Sequence, residues 1–338
     1  MKGIVCEQIG RFRMIELEEP SPSEGEAVVR IRRVGICGTD LHAFRGNQPF
    51  FTYPRILGHE LSGVIERIGD NEAGLRPGDQ VCIIPYLHCG TCAACRAGKT
   101  NCCVRMRVLG VHADGGMRER IAVPATHLLQ ADGLTLDEAA LIETLSIGAH
   151  AVRRSGLQAG ETALVVGAGP IGLGVMAFAK RAGAAVIAMD RNERRLALCR
   201  EWAGVDHTVN AADEEPAVRL SELTGGELAA AVFDATGNAR SMEAAFGYIA
   251  HGGRLVYVGL VKGDIAFSDP EFHKRETTLM GSRNATREDF LHVLQAVRSG
   301  AVGTDGFITH RSTFGDMIES FGDWLDPGAG VVKAMVEL

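Results

Sequence analysis

The stretch that decides the fold is ETALVVGAGPIGLGVMAFAKRAGAAVIAMDRNERRLALC, residues 161–199 of the 338-residue chain. Its first apolar run, Ala163 to Val166, predicts a buried strand. A glycine-rich turn, an apolar-periodic segment that predicts a helix, and a second apolar run ending at Asp190 follow in that order. This succession of strand, turn, helix and strand predicts an α/β fold with a doubly wound parallel sheet.

The glycine turn has the G-x-G-x-x-G spacing that suits a dinucleotide. Gly167 makes the turn, Gly169 admits the pyrophosphate, and Gly172 lets helix and strand pack closely. Backbone N–H groups at the start of the helix then hold the pyrophosphate with help from the helix dipole. The predicted cofactor contacts in this loop are Gly167, Gly169, Pro170, Ile171 and Gly172.

Asp190 follows Gly172 by 18 residues, close to the ~20 at which an acid meets the adenosine ribose in this kind of loop. Its carboxylate accepts hydrogen bonds from the ribose hydroxyls and repels a 2′-phosphate, which favours NAD+ over NADP+. Arg191 leaves NADP+ open, because an arginine can accommodate that phosphate. Two later apolar runs end in the turns ATGN and VGL, where we predict further cofactor contacts at Thr236, Gly237, Val258 and Gly259.

The overall composition favours small-molecule chemistry. The chain has 35 Lys and Arg residues against 42 Asp and Glu residues, a net charge of −7, and its basic residues are scattered. This balance argues against a nucleic-acid surface or a patch for anionic membranes. No apolar run approaches the ~18 residues that a membrane span needs, and the N-terminus lacks the apolar core of a secretory signal. We therefore expect a cytoplasmic protein with no nucleic-acid or membrane partner.

Nine cysteines in a reducing compartment indicate metal or redox chemistry rather than disulfides. Five of them lie in CGTCAACRAGKTNCC, residues 89–103. The spacing C-x2-C-x2-C-x7-C places four thiolates around one point, as a tetrahedral zinc site requires. Four protein thiolates leave no open position, so we predict a structural zinc with Cys102 pointing away from it. Its predicted ligands are Cys89, Cys92, Cys95 and Cys103.

A second set of ligand-type residues lies upstream, with Cys37 in VGICGTDLH and His59 and Glu60 in YPRILGHELSG. Each of them alone is more often an ordinary core or surface residue. All three, however, lie where glycine-containing turns meet predicted strands. A thiolate, an imidazole and a carboxylate suit a Zn2+ ion that keeps one position open for water or substrate. We therefore predict a catalytic zinc site here.

The motifs GHE (58–60), CGTDLH (37–42), VGAGPIG (166–172) and the four-cysteine segment resemble, in order and spacing, the zinc-dependent medium-chain dehydrogenases and reductases over essentially the whole chain. The resemblance implies a GroES-like irregular β-barrel catalytic domain at residues 1–148 and 281–338, with a structural zinc lobe at about 86–105. It also implies a Rossmann NAD-binding domain at 149–280, an active site in the cleft between the domains, and a homodimer or homotetramer.

The resemblance also assigns zinc ligands. In that family the catalytic zinc is held by the residues that match Cys37, His59 and usually Glu60. Glu143, in ALIETLSIGAHA, matches an acid that contacts the zinc directly or through its bound water. Thr144 departs from the pattern, because polyol and threonine dehydrogenases usually have proline after this acid.

The reaction that the resemblance implies is reversible oxidation of a secondary alcohol with NAD+. Thr39 and His42 match the hydroxyl and the imidazole of a relay that carries the proton to solvent, and an imidazole suits exchange with bulk water. Arg195 matches an arginine that packs near the adenine ribose. The implied cofactors are therefore two Zn2+ ions per chain and NAD+.

Longer stretches such as GNQPFFTYPRILGHE and SDPEFHKRETTLMGSRNAT resemble the bacterial L-galactonate and L-gulonate 5-dehydrogenase branch, which oxidises a hexonate to its 5-keto acid. A hexonate carries a carboxylate, so we expect a cation in the site. Arg283 matches an arginine near substrate in the polyol branch, whereas Arg45 and Lys274 read equally well as surface charges. The candidate substrate contacts are Arg283, Asn284, Arg45 and Lys274.

Two alternatives stay open at this point. One is a polyol, polyol-phosphate or L-threonine dehydrogenase of the same fold. The other belongs to a different class, a non-catalytic regulatory protein that retains the fold. The full set of predicted ligand and relay residues argues against the second.

Overall fold

The computed structural model describes the whole chain, Met1–Leu338. Its residues form two compact units: unit 1 is Met1–Glu143 together with Thr286–Leu338, and unit 2 is Thr144–Ala285. The sequence analysis puts the domain limits at 148 and 280, and those limits stay predictions.

Unit 1 contains most of the strands. Its first part consists of β1 (Lys2–Gln8), β2 (Arg11–Glu16), β3 (Glu26–Ile36), α1 (Gly38–Phe44), β4 (Arg55–Ile56), β5 (Glu60–Ile68), β6 (Gln80–Ile83), β7 (Tyr86–Leu87), α2 (Ala93–Arg96), β8 (Arg107–Val108), β9 (Arg120–Pro124) and β10 (Leu128–Gln130). The helix α3 (Leu136–Ser155) then runs on into unit 2.

Unit 2 alternates strands and helices. Its elements are β11 (Thr162–Val166), α4 (Pro170–Arg181), β12 (Ala185–Asp190), α5 (Glu193–Trp202), β13 (His207–Asn210), α6 (Pro216–Leu223), β14 (Ala229–Asp234), α7 (Ala239–Ala244), β15 (Ile249–Tyr257), α8 (Asp269–Lys274) and β16 (Thr278–Gly281). The chain returns to unit 1 with α9 (Arg287–Arg298), β17 (His310–Thr313), α10 (Met317–Trp324) and β18 (Ala334–Glu337).

The main sheet of unit 1 is built around the long strand β3. The strand order is β10-β6-β5-β3-β18-β17, with β9 also pairing with β3, and smaller sheets hold β2-β1-β4 and β7-β8. Most of β3 is buried, and apolar side chains such as Val29 and Ile31 are fully enclosed in the core. The last strand, β18, pairs antiparallel with β3 and sets Ala334 opposite Ile36. Two segments from opposite ends of the chain therefore lie side by side where β3 ends.

The sheet of unit 2 has six parallel strands in the order β13-β12-β11-β14-β15-β16. Parallel strands covered on both faces read as continuous apolar runs, and Leu164, Ile187 and Val232 are buried here. The strand order reverses between β11 and β14, and α/β sheets bind ligands at such a switch point, beyond the carboxyl ends of the strands. The doubly wound sheet predicted from residues 161–199 is confirmed.

Candidate active site

Cys37, His59 and Glu60, here called the three-ligand group, are brought together by the pairing of β3 with β5. Cys37 directly follows β3 and caps α1, and the strand register sets Gly35 opposite Glu60. One ligand atom from each of the three residues lies within 4.8 Å of the other two. His59 and Glu60 are buried and Cys37 is partly buried.

Asp40 fixes the two segments to each other. Its carboxylate accepts hydrogen bonds from the Cys37 N–H (2.9 Å) and the Gly58 N–H (3.2 Å), and it lies 3.8 Å from His59 Nδ1. Burial alone lowers the pKa of His59, but the nearby Asp40 and Cys37 outweigh it and raise that pKa well above its usual value. The ring also has a buried Nδ1 atom without a hydrogen-bond partner. The donor set of thiolate, imidazole and carboxylate, with one ligand atom from each within 4.8 Å of the others, fits a bound Zn2+ ion.

Lys333 is a site residue that the sequence analysis missed. Its side chain is 1% exposed, and its Nζ donates to both carboxylate oxygens of Glu60, at 2.5 and 2.7 Å, and to the Ile36 carbonyl at 3.2 Å. The pairing of β18 with β3 places it there. A signal was present, because VVKAMVEL has one lysine inside an apolar closing strand. A fully buried lysine needs a carboxylate partner.

Glu143 lies outside the three-ligand group but is paired with a second residue that the sequence analysis missed, Tyr86. Its buried carboxylate accepts a hydrogen bond from the Tyr86 hydroxyl. Burial, together with the charge of Glu60, raises the pKa of Glu143 to about 7, although His59 and the Tyr86 hydrogen bond act in the opposite direction. Burial and Glu143 raise the Tyr86 pKa well above its usual value, so the hydroxyl keeps its proton and donates.

The two predicted relay residues lie on α1. Thr39 is partly buried near the start of the helix, and His42 is exposed near its end. Residues three apart share one side of a helix, so the partly buried Thr39 and the exposed His42 lie on the same side of α1. Their role as a proton relay stays a prediction.

Cys89, Cys92, Cys95 and Cys103, here called the cysteine cluster, lie in the loop between β7 and β8. Their four sulfur atoms are within 4.8 Å of one another, and Cys102 is exposed and outside the group.

Hydrogen bonds to sulfur are concentrated at one side of this cluster. Cys103 Sγ accepts from the backbone N–H groups of Cys89 and Arg105, both at 3.3 Å, and Cys89 Sγ accepts from the Arg105 guanidinium at 3.4 Å. The Thr91 backbone and Arg105 lower the pKa of Cys89 to about 5. Burial and the neighbouring thiols, in contrast, raise the pKa of Cys95 to about 12. Four sulfurs this close cannot all ionise without a cation between them, which fits a Zn2+ ion.

The glycine loop of unit 2 has the backbone geometry that its sequence requires. Gly167 has a φ of +99°, and a Cβ on Gly172 would lie 1.8 Å from the Gly167 carbonyl oxygen. Gly169 is the N-cap of α4, and Pro170 is the first residue of that helix. Asp190 ends β12 and accepts hydrogen bonds from the backbone N–H groups of Ala168 (2.7 Å) and Asn192 (2.9 Å). Arg191 is exposed and Arg195 is partly buried.

The turns after β14 and β15 are tied together by Asp234, which the sequence analysis did not single out. Its buried carboxylate accepts from the Thr236 backbone N–H (2.9 Å) and hydroxyl (2.7 Å). Its carbonyl accepts from the N–H groups of Val258 and Gly259, both at 2.9 Å. These contacts hold the two turns at the carboxyl edge of the sheet, where Gly237 has a positive φ of 60°.

The candidate substrate residues have varied surroundings. Arg45 donates to the Leu325 carbonyl at 2.5 Å, and Lys274 pairs with Glu271 at 3.4 Å on the exposed helix α8. These local contacts favour the reading of both as surface charges. Arg283 is exposed, and Asn284 has a left-handed backbone with φ +53°.

Comparison with known proteins agrees with this geometry. A family model described as an alcohol dehydrogenase GroES-like domain matches residues 23–133, and one described as a zinc-binding dehydrogenase matches residues 170–299. The chain belongs to the zinc-type medium-chain alcohol dehydrogenase family. It is therefore an oxidoreductase that acts on CH–OH groups, and its family uses zinc and a nicotinamide cofactor. This excludes the non-catalytic alternative and confirms the GroES-like and Rossmann fold class.

Two curated relatives and one solved structure indicate where this dehydrogenase lies within its family. L-galactonate-5-dehydrogenase of Escherichia coli is 48% identical over 95% of this chain and 94% of its own length. The 2-dehydro-3-deoxy-L-galactonate 5-dehydrogenase of Pseudoalteromonas atlantica is 33% identical over 96% and 95%. An Escherichia coli alcohol dehydrogenase, RspB, solved with NADH, has a TM-score of 0.93 and 30% identity over 100% of this chain and 99% of its own. The substrate of this dehydrogenase is therefore a small molecule.

None of the helices in this chain has the length and apolar character of a membrane span.

Proposed function

We propose that this dehydrogenase oxidises a secondary hydroxyl of a sugar acid, a hexonate such as L-galactonate or L-gulonate, to the 5-keto acid with NAD+ as the hydride acceptor. The observation that carries this proposal is the 48% identity to L-galactonate-5-dehydrogenase over nearly the full length of both chains. The second relative is named for oxidation at the same carbon of a related sugar acid.

Cys37, His59 and Glu60 would hold the catalytic zinc, with Glu143 in contact directly or through water. When bound there, zinc supplies a Lewis acid that stabilises the substrate alkoxide near neutral pH. Residues around the group hold it in place and balance part of its charge. Asp40 holds Cys37 and the segment before His59 in register, and Lys333 balances the charge of Glu60.

Proton transfer is assigned to α1. The hydroxyl of Thr39 would take the proton of the substrate hydroxyl and pass it to His42, which is exposed and exchanges it with bulk water. A bound nicotinamide would supply the hydride acceptor, so Thr39 and His42 would carry only the proton.

The cofactor would bind along the carboxyl edge of the unit 2 sheet. The loop from Gly167 to Gly172 would bind the pyrophosphate at the N-terminus of α4. Asp190 would accept hydrogen bonds from the ribose hydroxyls. A carboxylate at the end of β12 supports NAD+ over NADP+. The remaining predicted contacts are Arg191, Arg195, Thr236, Gly237, Val258 and Gly259.

The cysteine cluster would hold a second zinc with a structural role, because four sulfur ligands leave no position for substrate. We also propose a cytoplasmic homodimer or homotetramer, as is common in the family. Among the candidate cations for the substrate carboxylate, Arg283 is retained, with Asn284 next to it.

A panel assay of NADH formation tests the proposal. The purified enzyme is given L-galactonate, L-gulonate, pentitols, hexitols, their phosphates and L-threonine, each with NAD+ and with NADP+. We expect the highest kcat/KM with a hexonate and NAD+. A higher value with a polyol phosphate, a free polyol or threonine would replace the proposed substrate with that compound.

A further inference from the structure

Tyr86 links the cysteine cluster to Glu143. It lies on β7, three residues before Cys89, and pairs with Val108 on β8. The cluster occupies the loop that joins these two short strands. Its four sulfurs therefore hold together the loop that begins directly after the strand of Tyr86. The strand pair and the cluster together fix the backbone from which this side chain extends.

The side chain of Tyr86 is held on every side. It is 4% exposed, and its ring meets the buried ring of Phe290 edge-on, with centroids 6.0 Å apart. Its backbone carbonyl accepts a hydrogen bond from His127 Nε2 at 3.2 Å. With the ring packed and the backbone anchored, the hydroxyl points at one place, the carboxylate of Glu143.

Glu143 needs such a partner. Its carboxylate is buried and close enough to His59 and Glu60 for their charges to act on it. A buried carboxylate that has lost water must be satisfied by hydrogen bonds or by a cation. A single donor on a rigid ring fixes which way its two oxygens face.

We propose that Tyr86 is a positioning residue, whose hydroxyl holds the Glu143 carboxylate in one orientation beside the three-ligand group. The inference rests on the proposed function in one respect, since it takes that group to be the catalytic metal site. Tyr86 itself does not touch the reacting atoms in this account and acts through Glu143.

The test variant is Tyr86→Phe, which keeps the ring and its contact with Phe290 and removes the hydroxyl. We expect kcat to fall about tenfold with KM unchanged, as for the loss of one hydrogen bond to a charged group. Tyr257→Phe is the matched control, because its hydroxyl also donates to a partner, the Met242 carbonyl at 2.6 Å, within unit 2. This control should keep wild-type kinetics.

A spectroscopic readout separates positioning from general damage. With Co2+ in place of zinc, the visible d–d bands report the ligand field of the metal. The difference spectrum between Tyr86→Phe and Tyr257→Phe cancels the cysteine cluster, and we expect it to show a shifted band. Identical spectra, together with equal kcat values, would overturn the inference.

A double-mutant cycle tests whether Tyr86 acts through Glu143. Adding Tyr86→Phe to Glu143→Ala should lower kcat no further, because the alanine has no side-chain acceptor and the hydroxyl acts only through the carboxylate. Effects that multiply would contradict the proposal. If hexonates are not oxidised, the proposed function fails, but the cobalt bands and the cycle on whichever alcohol is oxidised still decide the role of Tyr86.

Discussion

The cysteine cluster comes from fifteen consecutive residues, whereas the three-ligand group is assembled by the pairing of β3 with β5. The hydrogen bonds of the cluster come from the same segment and its immediate neighbour, Arg105. The three-ligand group is supported by Asp40, in the same segment as Cys37, and by residues from three further places, namely Tyr86, Glu143 and Lys333. One site is therefore local, and the other is a product of the whole of unit 1.

The two sites also balance charge differently. In the cluster, thiol groups 4.8 Å or less apart meet backbone N–H groups and one exposed arginine. In the three-ligand group, a buried lysine already offsets the buried carboxylate of Glu60. The local site thus depends on its cation for stability, whereas the dispersed site is partly preorganised before a cation binds.

The largest effect is expected for Cys103→Ser, with the adjacent Cys102→Ser as control. Structural zinc sites contribute about 10–16 kcal/mol of apparent binding free energy in small zinc domains. Loss of one ligand should remove one zinc per chain and lower the melting temperature by at least about 5 °C. Cys102 is exposed and outside the cluster, so Cys102→Ser should keep the wild-type zinc content and melting temperature. Metal analysis and calorimetry measure the two quantities, and full zinc content in Cys103→Ser would contradict the cluster as a zinc site.

The next effect is catalytic. Cys37→Ala should remove the other zinc and lower kcat/KM by at least about 10³-fold, because the alkoxide is no longer stabilised. The melting temperature should change much less than in Cys103→Ser, since strand pairing rather than metal holds this region. Cys199→Ala is the control, because it removes a buried thiol in unit 2. Wild-type turnover in Cys37→Ala would break the assignment of the reaction to this site.

The same contrast explains what could be predicted from the sequence. Turn spacing alone brings the four cysteines together, and the run of strand, glycine turn, helix and strand at 161–199 decides the unit 2 sheet, because both depend on short-range order. Cys37, His59 and Glu60 are visible as motifs next to predicted strands. Their meeting, however, depends on a strand register that no local pattern specifies.

Lys333 and Tyr86 were missed for a physical reason. Lys333 lies 273 residues from Glu60 in the chain, and only the placement of β18 beside β3 brings them into contact. Tyr86 reads as a core aromatic until its hydroxyl is seen on Glu143. The chemistry of a dispersed site is completed by side chains whose roles appear only in three dimensions.

A smaller effect is expected for Lys333→Met, which leaves the buried carboxylate of Glu60 without its partner. Breaking a buried ion pair costs about 3–5 kcal/mol, and we expect a loss of this size in unfolding free energy after the zinc of this site is removed by a chelator. The loss should be smaller with zinc bound, because the cation then balances Glu60. Lys180→Met breaks the more exposed pair with Asp206 and should cost about 1 kcal/mol or less. Urea unfolding with and without zinc measures the two unfolding free energies. Equal losses of free energy in both states would contradict the idea that zinc and Lys333 both balance the charge of Glu60.

The finest distinction is the pH at which each site releases its metal. Ligands must be deprotonated to bind, so a raised ligand pKa weakens binding on the acid side and a lowered one protects it. The pKa of His59 is raised well above its usual value by Asp40 and Cys37, despite the opposing effect of burial, so protons compete early for its nitrogen as the pH falls. The pKa of Cys89 is lowered to about 5 by the Thr91 backbone and Arg105, so that ligand stays ionised until the solution is more acidic.

We therefore expect two steps of zinc release on acidification, with the three-ligand group emptying at a higher pH than the cysteine cluster. A zinc-sensitive dye follows the release, and loss of turnover should coincide with the first step only. Cys37→Ala should lack the first step and Cys103→Ser the second, which assigns each step to its site. Release in the opposite order would mean that the burial of Cys95, whose pKa is raised to about 12, governs the cluster rather than the hydrogen bonds to Cys89.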